Sequence, residues 1–358
     1  GASSFNNDIS LWNVSNVVDM SSMFSHAISF NQQLNSWDVS NVFSMENMFS
    51  NASNFDQDLS SWNVSGVNEI GSMFYEALNF NGDLSNWDLS NATDISGMFA
   101  NAYNFNGDVS SWNVSMVENM AFLFSGCENF NQDISNWNVS NVTDMTGMFE
   151  SALVFDQNLS TWDVSNVYNM SSLFENAVSY NQDLYSWDVT GTELMSNMFL
   201  NANSFNQDVS NWDISNVTEM ENMFDNTSLS ETNKCIVHTS FSLNSAWPYD
   251  WSESCNLINQ IDIIVPLSFS LNQNYPNPFN SYTTLRYELP EDSFLDITVY
   301  DMLGNIVKNL VNTNESSGYK SIRWDATNNQ GEPVSAGIYL YKIQAGNFVD
   351  AKKMILLK

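Results

Sequence analysis

The stretch FNQDISNWNVSNVTDMTGMFESALV, residues 130–154, decides how the first two thirds of the chain fold. Its 25-residue pattern runs head to tail from Phe5 to about Thr227. The first aromatic recurs at Phe5, Phe30, Phe55, Phe80, Phe105, Phe130, Phe155, Tyr180 and Phe205, and a tryptophan follows each one seven residues later, from Trp12 to Trp212. An unbroken period of about 20 to 50 residues marks a solenoid, a propeller or an array. The apolar positions of the unit are Phe130, Ile134, Trp137, Val139, Val142, Met145, Met148, Phe149 and Ala152.

Read from Ile134, these positions have the spacing of a leucine-rich repeat with Trp, Met and Phe in place of most leucines. Ile134, Trp137 and Val139 fit a short strand entered by a bend, with Trp137 and Val139 on one face. Val142, Met145, Met148 and Phe149 then fall at helical spacing, with Asn141 as N-cap and Asp144 at the third helical position. The expected fold class is therefore an α/β repeat solenoid, leucine-rich-repeat-like, of nine 25-residue turns over residues 1–227. Burying nine apolar side chains contributes about 1.5 to 3 kcal/mol each, against about 1 to 2 kcal/mol of backbone entropy per ordered residue. A lone turn loses that contest, so the turns must stack.

Charge narrows the possible partners. The chain has 358 residues and a formal charge of −32. Of its 41 acidic residues, 28 lie between Asp8 and Asp225, and its first basic residue is Lys234. Such an array has no basic footprint for phosphates, which excludes nucleic acid, and an anionic membrane would repel it. No run has the length of a membrane span, so membrane insertion is not expected. Gly1 and Ala2 occupy the places of His26 and Ala27 one unit later, so the chain is expected to be a piece of a longer protein with a leader, and further repeats, upstream.

Three cysteines are present. Cys127 stands where the repeat has alanine and reads as a buried free thiol. Cys235 and Cys255 flank CIVHTSFSLNSAWPYDWSESC, directly after the last repeat, and are expected to staple a cap over residues 228–257 in an oxidising compartment. Two unpaired thiols in that cap are the alternative. A linker follows at residues 258–268. Residues 269–358 then hold eight of the nine basic residues and nine acids, with six or seven short strand patterns separated by turn residues. That pattern reads as a small all-β sandwich of immunoglobulin type.

Two resemblances follow from these motifs. LNQNYPNPFN from Leu271, VYDMLGNIVKNLV from Val299, WDATNNQGEPVSAGIYLYKI from Trp324 and the closing KKMILLK resemble the C-terminal sorting domain of type IX secretion cargo. The resemblance singles out Asn274, Tyr275, Pro276, Asn277, Pro278, Phe279, Asn280, Gly304, Gly337, Lys352 and Lys353. It implies export through a type IX translocon that reads residues 269–358, removal of this domain, attachment to surface lipopolysaccharide, and a place outside or on the outer surface of a Gram-negative bacterium. The WDVSNVTDMSxMF-like units resemble BspA-like leucine-rich repeat surface proteins, which implies an adhesin-like role.

The tryptophans share a face with the core valines and are expected to be buried, which leaves Tyr75, Tyr103, Tyr168 and Tyr185 as candidates for exposed aromatic contacts. Two acidic columns run along the array. One contains Asp8, Asp58, Asp83, Asp108, Asp133, Asp183 and Asp208, and the other contains Asp38, Asp88, Asp163, Asp188 and Asp213. They are expected to cap bends, with Asp58, Asp83, Asp108 and Asp133 as calcium candidates, since calcium takes oxygen ligands. Asn6, Asn31, Asn81, Asn106, Asn131, Asn181 and Asn206 form an expected ladder that satisfies bend backbone. Two histidines, His26 and His238, stand in different surroundings, and no triad can be drawn around either. The expected function is adhesion or binding of an extracellular protein or polysaccharide, without catalysis or an obligatory cofactor. Specificity is expected along the variable edge SHAIS, YEALN, SGCEN and LNANS. A calcium-dependent polysaccharide module and a passive stalk presenting an upstream domain are the competing readings.

Overall fold

The computed structural model describes residues 1–255, 266, 268–274 and 276–357. They form two compact units, Gly1–Cys255 and Asn256–Lys358. The expected linker lies almost wholly outside the described residues.

The 25-residue period holds over the nine turns of the first unit, but those turns contain neither α-helix nor extended strand, which corrects the α/β reading. In the unit beginning at Phe130, Trp137 N donates to Ile134 O and Val142 N to Val139 O, so tight bends replace the expected strand. The strand pairing is a single parallel bridge per turn, in the column Asp19, Ser44, Glu69, Asp94, Asn119, Asp144, Asn169, Leu194 and Glu219. Asn141 caps no helix: its Nδ2 donates to Ser115 O of the preceding turn.

The expected helix is excluded by the backbone at two positions per turn. Gly147 and Ser151 have φ of +57° and +56°, and every turn has such a pair four residues apart, from Ser22 and His26 to Asn222 and Asn226. A right-handed helix admits no left-handed residue. Around these positions Met145, Gly147, Phe149 and Ser151 all donate their N–H forward, to the carbonyls of Asn169, Ser171, Leu173 and Glu175. Alternate peptide groups thus line up along the stack, while Met145, Met148, Phe149 and Ala152 turn inward and are fully buried. Those inward positions are what helical spacing imitated.

The core is a set of ring columns. Phe124 lies 3.8 Å from Phe130 and Phe130 lies 5.9 Å from Phe155, centroid to centroid, with rings nearly parallel. Each tryptophan from Trp37 to Trp212 donates Nε1–H to the carbonyl 28 residues earlier, as Trp137 does to Val109 O at 3.0 Å. Buried polar groups need such partners, which explains why this column holds indole and not phenyl. The Asn ladder lies alongside: Asn131 Oδ1 accepts from Asp156 N and from Gln157 Nε2.

A cap closes the ninth turn. Helix α1, Glu231–Phe241, is N-capped by Ser230, whose own N–H donates to Asn206 Oδ1 and so extends the Asn ladder. Tyr249 takes the part of a following turn: its hydroxyl accepts Phe224 N at 2.9 Å and donates to Asp225 Oδ1. Trp247, Tyr249 and Trp251 gather on Phe224, and Cys235 and Cys255 are joined by a disulfide.

The second unit is a sandwich of two antiparallel sheets. Strands β1 (Ser270–Leu271), β2 (Thr283–Leu289), β3 (Ser293–Tyr300), β4 (Ile306–Glu315), β5 (Gly318–Trp324), β6 (Gly337–Ala345) and β7 (Phe348–Leu356) pair in the orders β1-β2-β5 and β4-β3-β6-β7. Period-two burial on β6, with Tyr339, Tyr341, Ile343 and Ala345 inward, is the signature of a sheet with one packed face.

Candidate functional site

Most of the polar columns serve the fold. Asp58, Asp83, Asp108 and Asp133 are exposed, and each turns Oδ1 onto the N–H of the serine two residues on. Hydrogen bonds from Ser60, Ser110 and Ser135 hold Asp58, Asp108 and Asp133 below the usual aspartate value. Asn158 makes the same bond to Ser160. In the second column Asp38, Asp163 and Asp213 do so alongside Asn13, Asn63 and Asn138. An amide substitutes for a carboxylate wherever only an acceptor is needed, which accounts for the irregular alternation of Asp and Asn. Among the described residues no group of three or more His, Cys, Asp or Glu side chains could hold a metal ion, so the four calcium candidates form no metal cluster.

Cys127 is a buried free thiol that donates to Phe99 O, and burial raises its pKa well above the ordinary range. His238 accepts Trp247 Nε1–H within the cap, far in sequence from His26, which sits at a left-handed corner of the first turn.

What the fold does not need lies outside the array. Val18, Phe43 and Tyr168 share one column, thirteen residues after the first aromatic of their units, and are 58%, 46% and 46% exposed, where other turns place Asn68, Thr93, Glu118, Thr143, Glu193 and Thr218. Tyr103 is also exposed, while Tyr75 and Tyr185 are half-buried. Phe122 occupies a left-handed corner with φ +57°. Its ring lies against Gly147, where a Cβ would come within 2.6 Å of it. On the variable edge, burial raises the Glu150 carboxyl above its ordinary value and the charge of Glu175, one turn on, adds to that. Phe43 and Phe122 were missed by sequence reading; each is a bulky break in a polar column, and that was the available signal.

In the sandwich most of the residues singled out by the sorting-domain resemblance form a strap. Asn274 is buried and donates Nδ2–H to Pro276 O and Thr283 Oγ1, while its N–H donates to Tyr341 Oη. Asn277 donates to Lys353 O and accepts Ile355 N, and precedes Pro278 through a cis peptide bond. Phe279 N donates to Ile355 O, and its buried ring lies 5.6 Å from Trp324. Gly304 closes a turn on Asp301 O with φ +83°. Gly337 opens β6, and Lys352 lies 3.8 Å from Asp350. Asn280, Pro278, Gly304 and Lys353 are exposed. Tyr275 lies outside the described residues.

A family model described as "Mycoplasma protein of unknown function, DUF285" matches residues 1–108, 79–163 and 123–236. The chain belongs to that family. Its DUF285 array is followed by a region, residues 279–347, that matches the "FlgD Ig-like domain". No curated protein matches the chain. Among solved structures it is similar to dimeric latent PorU from Porphyromonas gingivalis, at 23% identity and TM-score 0.22, over 25% of this chain and 9% of that one. It is also similar to PorZ, an essential bacterial surface component of the type-IX secretion system of Porphyromonas gingivalis, at 14% identity and TM-score 0.19, over 25% of this chain and 12% of that one. The chain therefore spans about a tenth of the length of either protein.

Proposed function

We propose that this DUF285 protein is an exported, cell-surface binding protein. Its array engages a protein or glycan ligand without catalysis, and residues 269–358 address the chain to a type IX translocon. One observation carries the binding half: the inward positions are held by packing and backbone bonding, while large aromatic side chains that the core does not require stand on the exterior of the array, at Phe43, Tyr103, Phe122 and Tyr168. Aromatic side chains are enriched at protein interfaces, and these are exposed without being required by the core. The sorting motifs support the export half, and among the described residues no helix is long and apolar enough to cross a membrane.

The binding half is tested by coating beads with the full chain and measuring their retention on cultured host cells and on extracellular-matrix protein. The paired change Phe43→Ser and Tyr168→Ser is expected to release the beads with the fold intact by circular dichroism. Retention unchanged by that pair would move the contact surface elsewhere. Retention no greater than for albumin-coated beads would contradict the reading.

A further inference from the structure

Residues 79–83 and 104–108 read identically, Asn-Phe-Asn-Gly-Asp, and they hold the only two Asn-Gly pairs of the chain, Asn81-Gly82 and Asn106-Gly107. Such a pair is open to self-modification, because a glycine has no Cβ to keep its main-chain nitrogen from the carboxamide carbon of the asparagine before it. Both asparagines belong to the ladder. Asn81 N–H donates to Asp56 Oδ1, and Asn81 Oδ1 accepts Asn106 N at 2.8 Å. Asn106 Oδ1 accepts Asn131 N and Gln132 Nε2, each at 3.0 Å, and Gln132 Nε2 donates to Asn106 O as well. Asn81 has no such clasp, since Gly107 stands one turn on where Asn106 has Gln132. Asn81 is exposed and Asn106 is half-buried. Among the described residues neither Gly82 N–H nor Gly107 N–H donates to an acceptor, so both nitrogens are uncommitted.

We propose that Asn81 is a self-modification site, which deamidates in the folded chain while its sequence twin Asn106 is protected. Gly82 N attacks Asn81 Cγ. The N–Cγ bond forms, the Cγ–Nδ2 bond breaks, and ammonia leaves with the proton of Gly82 N. Water then opens the succinimide ring to aspartate, or to isoaspartate where the main chain is rerouted through the side chain. Closing the ring moves the carboxamide carbon onto the glycine nitrogen, and hydrogen bonds that fix the carboxamide oppose that movement. One bond holds the Asn81 oxygen, whereas two hold the Asn106 oxygen and a third holds its main-chain carbonyl. The aspartate product suits the ladder: Asp56 and Asp156 stand in the same column and accept Asn81 N and Asn181 N as an asparagine does. Conversion therefore adds a negative charge to the fourth turn and keeps the ladder bond to Asn106. This site is independent of what the array binds.

The test is to incubate the full chain in mildly alkaline heavy-oxygen water and map its peptic peptides by mass spectrometry over time. Asn81 is expected to become a labelled carboxylate about tenfold faster than Asn106, the difference that one or two hydrogen bonds make to a rate. In concentrated urea, where only the identical local sequences remain, the twins are expected to convert at equal rates. Gln132→Ala is expected to raise the rate at Asn106 toward that at Asn81 and to leave Asn81 unchanged. Asn106 converting as fast as Asn81 in the folded chain, or a difference that persists in urea, would overturn the site. So would a folded chain in which Asn81 stays intact while urea releases it, or a Gln132→Ala variant in which Asn106 is no faster.

Discussion

Trp137 joins two structural tasks in one side chain: it fills a ring column and satisfies Val109 O of the preceding turn. Trp137→Phe is expected to cost about 1 to 3 kcal/mol in denaturant titration, because a buried acceptor loses a donor and the smaller ring leaves space. Tyr180 is the opposite case. It replaces the phenylalanine of the other eight units, and its hydroxyl is buried without a partner. Tyr180→Phe is therefore expected to raise the melting temperature, by removing a polar group whose burial costs about 1 to 3 kcal/mol. The bend aspartates set the acid response. Serine hydrogen bonds depress Asp133 below its ordinary 3.8 in the folded chain, so its contribution is present above pH about 4 and is lost as pH falls through the lower folded value. Melting at pH 3 and pH 5 checks this, with Asp133→Asn expected to flatten the difference, since asparagine keeps the bend. Millimolar calcium against chelator is expected to leave the melting temperature unchanged, because these oxygens already face their own backbone.

At the scale of the element, the 25-residue turn shows what was legible in the sequence. Every core column, from Phe130 to Ala152, and the Asn ladder could be read from apolar spacing and repetition. The helix could not, because two tight turns separated by left-handed residues place Met145, Met148 and Phe149 inward at the same intervals. The discriminating signal was in the polar positions: Asn47, Gly97, Gly147 and Asn197 in one column, and Asn51, Asn101, Gly126 and Asn176 in the other, are the residue types that accept positive φ. How the cap packs was not legible for another reason: it lies where the period stops and has no sister copy for comparison. The cap itself carries a prediction. The disulfide spans 20 residues and holds the Trp247 to Trp251 segment over Phe224. Cys235→Ser with Cys255→Ser is expected to cost about 2 to 4 kcal/mol, read as earlier exposure of cap tryptophans to a fluorescence quencher.

At the scale of the whole molecule, the two units have different surfaces and different constraints. The array is a one-dimensional stack in which each turn bonds only to its neighbours, so its stability is distributed and a single exterior change disturbs little. That is why exterior residues such as Phe43 can vary while the core columns repeat. In the sandwich, Asn274, Asn277 and Phe279 tie the segment before β2 to β7 and to Tyr341. The motif that resembles a sorting signal is therefore largely a folding motif, and on the proposed reading a translocon would meet the folded strap and its exposed neighbours. Surface labelling of intact cells tests the central claim most directly. A type IX-competent bacterium would produce the chain with and without residues 269–358, and an antibody would be raised against the array. The account predicts labelling of unpermeabilised cells, lost when those residues are removed. An array reached only after permeabilisation, or labelled equally without residues 269–358, would contradict it.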